Sequence, residues 1–413
     1  MAFFCLGLFE GNLGHGQKSV HCHENFFTSF KAKRRPGEMK KMMFVMCLAF
    51  ICIYAAPVTA QDASSENQEA AVKAGGVKSI EDRISHREEA VARRVLGDNW
   101  FERVDISGLI EIEAMHQSVD DADPAVSDQD SSDVDLATVE LVLDARIADH
   151  VDGHVMFKYE EDDLFVDEGF VTLSGTDRMP VWLSAGRQYL PFGYFDSHFV
   201  TDPATLVLGE TNEGAVVAGY TAAEGVLEFS AGLFNGDIDE DNDDDMVDSF
   251  IASIAAQPFE PLMMGVSYTS NLLSSDSFSE FAVNPAIDDM VGGWSVFVTL
   301  SFLERFKIIG EYVAAMDHFN AGEIYDAADT RQRKPSAWNL ELGAAVLENL
   351  EMAVGYGGSD DGGDAFLPEN QYGAVINWGI FDRTNLAFEY LQAEFEDDGP
   401  ETDTFTVQLA VEF

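Results

Sequence analysis

"TFTVQLAVEF", residues 404–413, closes the chain. Phe405, Val407, Leu409, Val411 and Phe413 share one parity; Thr404, Thr406, Gln408 and Glu412 share the other. A period of two with one apolar and one wet face is the signature of a β-strand. An aromatic end to such a strand is explained if the strand closes a barrel, because the last strand then pairs with the first and needs no further cover.

Working back from this stretch, the same period recurs in about sixteen segments, of a length suited to crossing a bilayer as strands. The first spans 104–117 and the last 403–413. Connections after even segments are tight, such as "GTDRM", "QPFEP" and "FDR". Those after most odd segments are long and polar: 118–133, 191–213, 235–247, 271–289, 317–334, 359–369 and 397–402. Short turns at one rim and long loops at the other mark an outer-membrane barrel, and a soluble sandwich has no reason to keep that alternation. The expected fold is all-β: a transmembrane antiparallel up-and-down β-barrel of about sixteen strands over 104–413, with both ends on the periplasmic side. The apolar parity would face lipid, and Phe413 would join the periplasmic aromatic girdle.

The other end of the sequence supports export. "MKKMMFVMCLAFICIYAAPVTA", residues 39–60, has a basic start, an apolar stretch and small residues before Gln61, the three parts of a secretory signal peptide. Residues 1–38 then read as a segment upstream of the true start at Met39. Residues 61–103 read as a linker followed by a short periplasmic α-helix, with Ser79 and Asp82 at its start, Gly97 at its end and an Ile80, Ile84, Val91, Val95 stripe suited to a coiled coil or plug. All four cysteines (Cys5, Cys22, Cys47 and Cys52) lie in the upstream and signal segments, so the barrel has no disulfide or thiolate metal site.

With 24 Lys and Arg against 74 Asp and Glu, the net charge is −50. That sign excludes nucleic acid as a partner and disfavours an anion-selective pore. Much of the charge also serves to keep the surface solvated.

The polar parity should describe the lumen. Its charged members are Asp105, Glu111, Glu113, Glu140, Asp144, Arg146, Lys158, Glu160, Glu228, Lys307, Glu311, Glu341, Glu351 and Glu389, with Asn339 and Asn377 beside them. Arg187 joins the pore-lining set, although the facing of its segment is ambiguous. The opposite parity holds Trp338, Leu340 and Leu342, then Tyr372, Ile376 and Trp378, then Leu386, Phe388 and Tyr390. A Lys or Arg on that face at mid-membrane would cost about 2–4 kcal/mol, which fixes the assignment. Carboxylates outnumber basic groups, so cation preference is expected, with the basic side chains setting up a transverse field.

"AGRQYLPFGYFDSHFVTDP", residues 185–203, breaks its strand at Pro191 and Gly193 and enters the long loop that ends near Glu213. That loop either folds inward and narrows the pore or stays outside. Gly186, Arg187, Gln188, Tyr189, Pro191, Phe192, Gly193, Asp202, Pro203, Leu208, Gly209 and Glu210 together resemble the signature of the LbtU family of siderophore porins. The resemblance covers about residues 78–413. It implies a signal peptide, a short helical segment, a sixteen-stranded outer-membrane barrel and passage of a ferric siderophore. The C-terminal strand ending in Phe413 likewise resembles the signal read by the outer-membrane assembly machinery.

Three other patterns carry less. Asp237, Asp239, Asp241, Asp243, Asp244 and Asp245 crowd one loop, but an EF-hand needs Gly at its sixth position and Glu at its twelfth, where Asn242 and Asp248 stand. A solvated loop, bridged to lipopolysaccharide phosphates by loosely held divalent ions, is the expectation. His150 and His154 flank a tight turn with no third ligand, so they read as exposed turn residues, and no metal or other cofactor is expected. Ser197 and His198 are neighbours, yet neighbours on a strand point to opposite faces, so a hydrolase is not expected. The sequence thus predicts a porin in contact with lipid and lipopolysaccharide, with a homotrimer as the candidate assembly. Its candidate solute is a ferric siderophore. A general diffusion porin and an adhesive barrel are the rivals.

Overall fold

Alternation of apolar and polar side chains, sustained from Val104 to Glu412, folds as a sheet rolled shut. The computed structural model describes residues 103–120, 129–160, 163–176, 178–240, 247–396 and 399–413. The expectations for 1–38, the signal peptide 39–60, the linker and helix of 61–102, and Asp241, Asp243, Asp244 and Asp245 of the acidic loop lie outside the described residues.

The strands are β1 (Val104–Asp120), β2 (Gln129–Ala148), β3 (Val151–Glu160), β4 (Asp163–Thr176), β5 (Met179–Tyr189), β6 (Asn212–Ala222), β7 (Leu227–Phe234), β8 (Asp239–Glu240), β9 (Ser249–Phe259), β10 (Leu262–Thr269), β11 (Ala286–Ile287), β12 (Gly293–Phe302), β13 (Phe306–Ala315), β14 (Ser336–Leu347), β15 (Leu350–Asp360), β16 (Pro368–Phe381), β17 (Thr384–Phe395) and β18 (Glu401–Glu412). All but β8 and β11 form one closed barrel, each pairing with its neighbours in chain order. This is the sixteen-stranded antiparallel barrel the periodicity predicts. The two-residue strands β8 and β11 pair with each other in parallel between the loops that contain them. A short helix, α1 (Ala204–Gly209), lies in the connection between β5 and β6.

Closure falls where the terminal strand places it. β1 pairs with β18 from Leu109–Glu412 to Asp120–Glu401. Gly108 and Phe413 exchange both backbone hydrogen bonds, at 3.2 and 3.0 Å. Gln408 donates to Glu113 across this seam at 2.9 Å, so the two lie on the same, inward face. Leu340, Leu342, Tyr372, Trp378 and Tyr390 are exposed on the outward face, while Glu341 and Glu389 are buried on the inward one.

The turn at 303–305 is strained. Leu303 and Glu304 hold φ of 53° and 57°, a left-handed conformation that costs a side-chain-bearing residue about 1–2 kcal/mol. Leu303 is also 78% exposed and packs little. Changing the pair to Asn-Gly should raise stability by about 1–2 kcal/mol, read as a higher urea midpoint in micelles with an unchanged slope.

The long loops depart from expectation. They are not merely polar: Leu272, Leu273, Phe278, Phe319, Ile324, Phe366 and Leu367 are buried together. Phe278 stacks on Phe366 at 5.2 Å and meets Phe319 edge-on at 5.6 Å. The inward-facing Val217, Phe234, Ile251 and Val313 of the wall join this core. The loops therefore fold on one another, because their scattered apolar residues can leave water only by packing together.

Candidate functional site: the segment folded across the lumen

The connection from Leu190 to Thr211 enters the barrel. Gly193 and Phe195 take positive φ, at 72° and 56°, which turns the chain away from β5. At Gly193 a Cβ would meet the Phe195 ring at 2.3 Å, so only glycine fits there. The segment then runs along the far wall, and that wall meets it strand by strand.

Ser267 on β10 accepts from the Gly193 N–H at 2.9 Å. Glu311 on β13 accepts from the Tyr194 and Phe195 N–H groups, both at 2.8 Å. Lys307, on the same strand, pairs with Asp196 at 2.6 Å. Glu341 on β14 accepts from Ser197 Oγ and the His198 N–H, both at 2.7 Å, and from His198 Nδ1 and Asn339 Nδ2, both at 2.8 Å. Asn377 on β16 donates to the His198 carbonyl at 2.8 Å. Glu389 on β17 accepts from the Val200 and Thr201 N–H groups at 2.5 and 3.2 Å and from Thr201 Oγ1 at 2.6 Å. Backbone N–H groups of an irregular segment need partners once buried, and ionised carboxylates are the strongest acceptors the wall can offer.

The wall also makes room. A Cβ at Gly343 would come within 2.3 Å of the His198 ring, and one at Gly355 within 2.7 Å of Phe199. Gly373 faces Phe199 from the next strand, at 3.2 Å. Three glycines on inward positions of adjacent strands thus form a shallow trough for two rings.

The motif residues turn out to build this segment. Leu190, Phe192 and Leu208 are buried in the loop core, and Pro203 precedes α1 as its N-cap. A Cβ at Gly209 would touch Phe192 at 2.9 Å. Gln188 accepts from Ser184 at 2.6 Å, and Tyr189 donates to Asp167 at 3.1 Å. Glu210 lies near Asp202 and Asp276 at the exit of the segment. Burial first, then the Asp202 and Asp276 charges, push the Glu210 carboxyl up from 4.5 to about 8. Burial likewise raises Asp276 to about 6.

Those shifts have a sign. In the fold Glu210 keeps its proton until about pH 8, whereas the unfolded chain releases it near its ordinary value of 4.5. The unfolded state therefore binds fewer protons between these limits, and stability falls as pH rises from about 4.5 to about 8. Urea midpoints should drop across that window and level above it. Glu210→Gln should make the drop shallower at its upper end, near pH 8.

Several of the predicted lumen residues need correction. Glu311, Glu341 and Glu389 face inward but do not line water; they are 6%, 2% and 1% exposed beneath the segment. Arg187 falls on the parity of Val181 and Leu183, because Ser184 and Gln188 take the buried inward positions of β5; it faces outward, near the loop rim. Arg146 and Glu228 keep the inward parity but sit exposed at the short-turn rim, where Arg146 approaches Asp152 at 3.9 Å. His154 is not a turn residue. Only His150 takes the turn, with φ of 66°, while His154 stacks on Phe170 inside the barrel. There it lies 2.8 Å from Asp144 and 3.4 Å from Glu168.

The wall that the segment leaves uncovered comprises β1–β4 and β18. It carries Glu111, Glu113, Glu140, Asp144, Glu160 and Glu168, with Lys158 paired to Glu160 at 3.3 Å. Glu351 lies on β15 at the edge of a cleft of about 530 Å³ that Ser197, His198, Lys307, Asn349, Asn377 and Asn385 also line. Ser197 Oγ donates to Glu341 rather than to His198, so the two neighbours do not form a nucleophile and base pair.

No family model matches the chain. A "UPF0422 protein" of Coxiella burnetii is 25% identical over 256 residues, covering 58% of this chain and 54% of that protein. The "UPF0422 protein lpg2959" of Legionella pneumophila is 24% identical over 301 residues, covering 65% of this chain and 55% of that protein. The chain thus spans about half the length of the curated relatives it matches. Among solved structures, the outer membrane channel DcaP of Acinetobacter baumannii superposes with a TM-score of 0.56 at 14% identity, covering 75% of this chain and 97% of that one. An anion-selective porin from Comamonas acidovorans gives 0.52 at 12% identity, covering 75% and 99%. At these identities the likeness is one of fold: a porin-type barrel.

Proposed function

We propose that this barrel is a passive outer-membrane channel whose passage is narrowed by the segment 190–211 and bordered by the acidic wall of β1–β4. One observation carries the reading. Three wall carboxylates (Glu311, Glu341 and Glu389) are spent on holding an irregular segment inside the lumen. A barrel that served only as a scaffold would gain nothing from burying charges for this purpose, since burying a charge is costly unless it is well paired. The porin-type fold of the superposed structures supports the same reading. So does the apolar outer belt, which lipid and lipopolysaccharide would cover, with Phe413 as the mark for assembly machinery.

The excess of carboxylates over basic groups on β1–β4 favours cations. Ferric siderophore is the candidate solute, on the resemblance carried by residues 186–210. A general diffusion channel is the second reading. It is favoured by the places of Leu190, Phe192 and Leu208, which are buried in the loop core and face no passing solute. Conductance in a planar bilayer under a salt gradient separates the readings. Cation-selective current blocked saturably by ferric siderophore supports the first. Current indifferent to it supports the second, and no current contradicts both. Chemical cross-linking in micelles tests the homotrimer.

A further inference from the structure

Within the segment, the His198 ring is wedged between carboxylates from two neighbouring strands of the wall. Its side chain is 4% exposed. Nδ1 lies 2.8 Å from a Glu341 oxygen on β14 that also accepts from the His198 N–H, so Nδ1 carries a hydrogen and the ring is held in one orientation. Nε2 lies 3.6 Å from Glu351 Oε1 on β15 and has no hydrogen-bond partner. Gly343 closes the slot, bare where a Cβ would come within 2.3 Å of Nε2. The two charge states of the ring meet this slot differently. A protonated imidazole donates at both nitrogens. It then makes an ion pair on each side, at 2.8 and 3.6 Å, and one side chain joins the segment to β14 and β15 together. A neutral imidazole with its hydrogen on Nδ1 turns a lone pair toward the Glu351 carboxylate, so attraction to β15 becomes repulsion. The rest of the hold is the same in both states. Glu341 still accepts from Ser197 Oγ and the His198 N–H, while Glu311 and Glu389 hold the chain before and after.

We propose that His198 is a pH-sensitive latch: with the ring protonated it ties the segment to β15 through Glu351, and with the ring neutral that tie is released. Imidazole is the side chain whose charge ordinarily changes between about pH 5 and 8. The charged groups around it are Glu341 on β14, Glu351 on β15, Glu348 in the turn between them, Lys307 on β13 and Asp196 in the segment. Lys307 is matched by Asp196 at 2.6 Å, which leaves Glu351 as the charge facing Nε2. Glu389 on β17 is turned to Val200 and Thr201. His154 has similar surroundings, with Asp144 at 2.8 Å and Glu168 at 3.4 Å. Those three residues stand on β2, β3 and β4, whose backbones are already paired, so its protonation joins strands that are tied in any case. His198 differs because it joins an irregular segment to the wall.

A double-mutant cycle on the full chain refolded in detergent micelles tests the latch. Wild type, His198→Gln, Glu351→Gln and the double variant are unfolded in urea at about pH 5.5 and about pH 8.5, either side of the imidazole range. The readout is stability, so a barrel that carries no current would leave the outcome untouched; only the effect of the latch on current rests on the channel reading. Attractive coupling of about threefold in the folding equilibrium constant is expected at the lower pH, the size of a partly exposed ion pair. At the higher pH it should vanish or turn repulsive. Glu351 is partly exposed, so Glu351→Gln should keep the fold. If His198→Gln does not fold, the comparison of wild type with Glu351→Gln still decides: the substitution should be less favourable at the lower pH than at the higher. His154→Gln should leave that difference unchanged. Equal effects of Glu351→Gln at the two pH values, a larger penalty at the higher one, or a pH dependence lost in His154→Gln overturns the proposal.

Discussion

Replacing Glu311, Glu341 and Glu389 together by alanine should raise single-channel conductance at least about twofold and make it noisy, because pore width and lining set the current. The three side chains supply the acceptors for the N–H groups of Tyr194, Phe195, His198, Val200 and Thr201. Hydrogen bonds to a charged group contribute about 1.5–3 kcal/mol each, so losing them removes the main polar hold on the segment. The trough of Gly343, Gly355 and Gly373 would still accept the His198 and Phe199 rings, but without directional bonds the rings would leave and return. Heat-modifiable mobility on gels checks that the barrel itself persists. Glu341→Ala alone should show most of the effect, since that carboxylate also takes the Ser197 hydroxyl and the His198 ring. Unchanged, quiet conductance in the triple variant would mean that the segment does not limit the passage.

The second large effect concerns selectivity. Glu111, Glu113, Glu140 and Glu160 lie on the inward face of the wall that the segment leaves bare, with Lys158 as the basic group among them. Changing all four to glutamine should bring the cation-to-anion permeability ratio close to one, because side-chain charge at a constriction sets the barrier for each sign of ion. Lys158→Glu should move the ratio the other way. The difference should shrink at high salt, as screening shortens the reach of each charge to a few ångströms at molar concentration. Reversal potentials under a salt gradient measure it. A ratio that ignores all five substitutions would place the passage elsewhere.

The barrel was legible because a strand announces its facing at every second residue. From Val104 to Glu412 a slip by one residue would put Glu341 or Glu389 into lipid, so register and strand number follow from the pattern itself. The facing of Arg187 was ambiguous because the last residues of its strand, Gly186 to Tyr189, keep no apolar parity to fix it. The pinning of the segment was hidden for a different reason. Glu311, Glu341 and Glu389 look like any lumen carboxylate, and their partners are more than a hundred residues away in sequence. A signal did exist in Gly343, Gly355 and Gly373, three bare positions on the inward parity of adjacent strands. Glycine weakens a strand unless another part of the chain approaches closely. The apolar loop core was missed because Leu272, Phe278, Phe319 and Phe366 are spaced without a period, so only the fold brings them together.

On the channel reading, residues 190–211 stand in the path of permeating ions. A single cysteine at Ser197, in a chain whose Cys5, Cys22, Cys47 and Cys52 are serine, treated with a bulky thiol reagent while current is recorded, tests that placement. A stepwise, irreversible fall in conductance that follows the labelling rate is the predicted result. Complete labelling with no change in current would place the segment outside the conducting path.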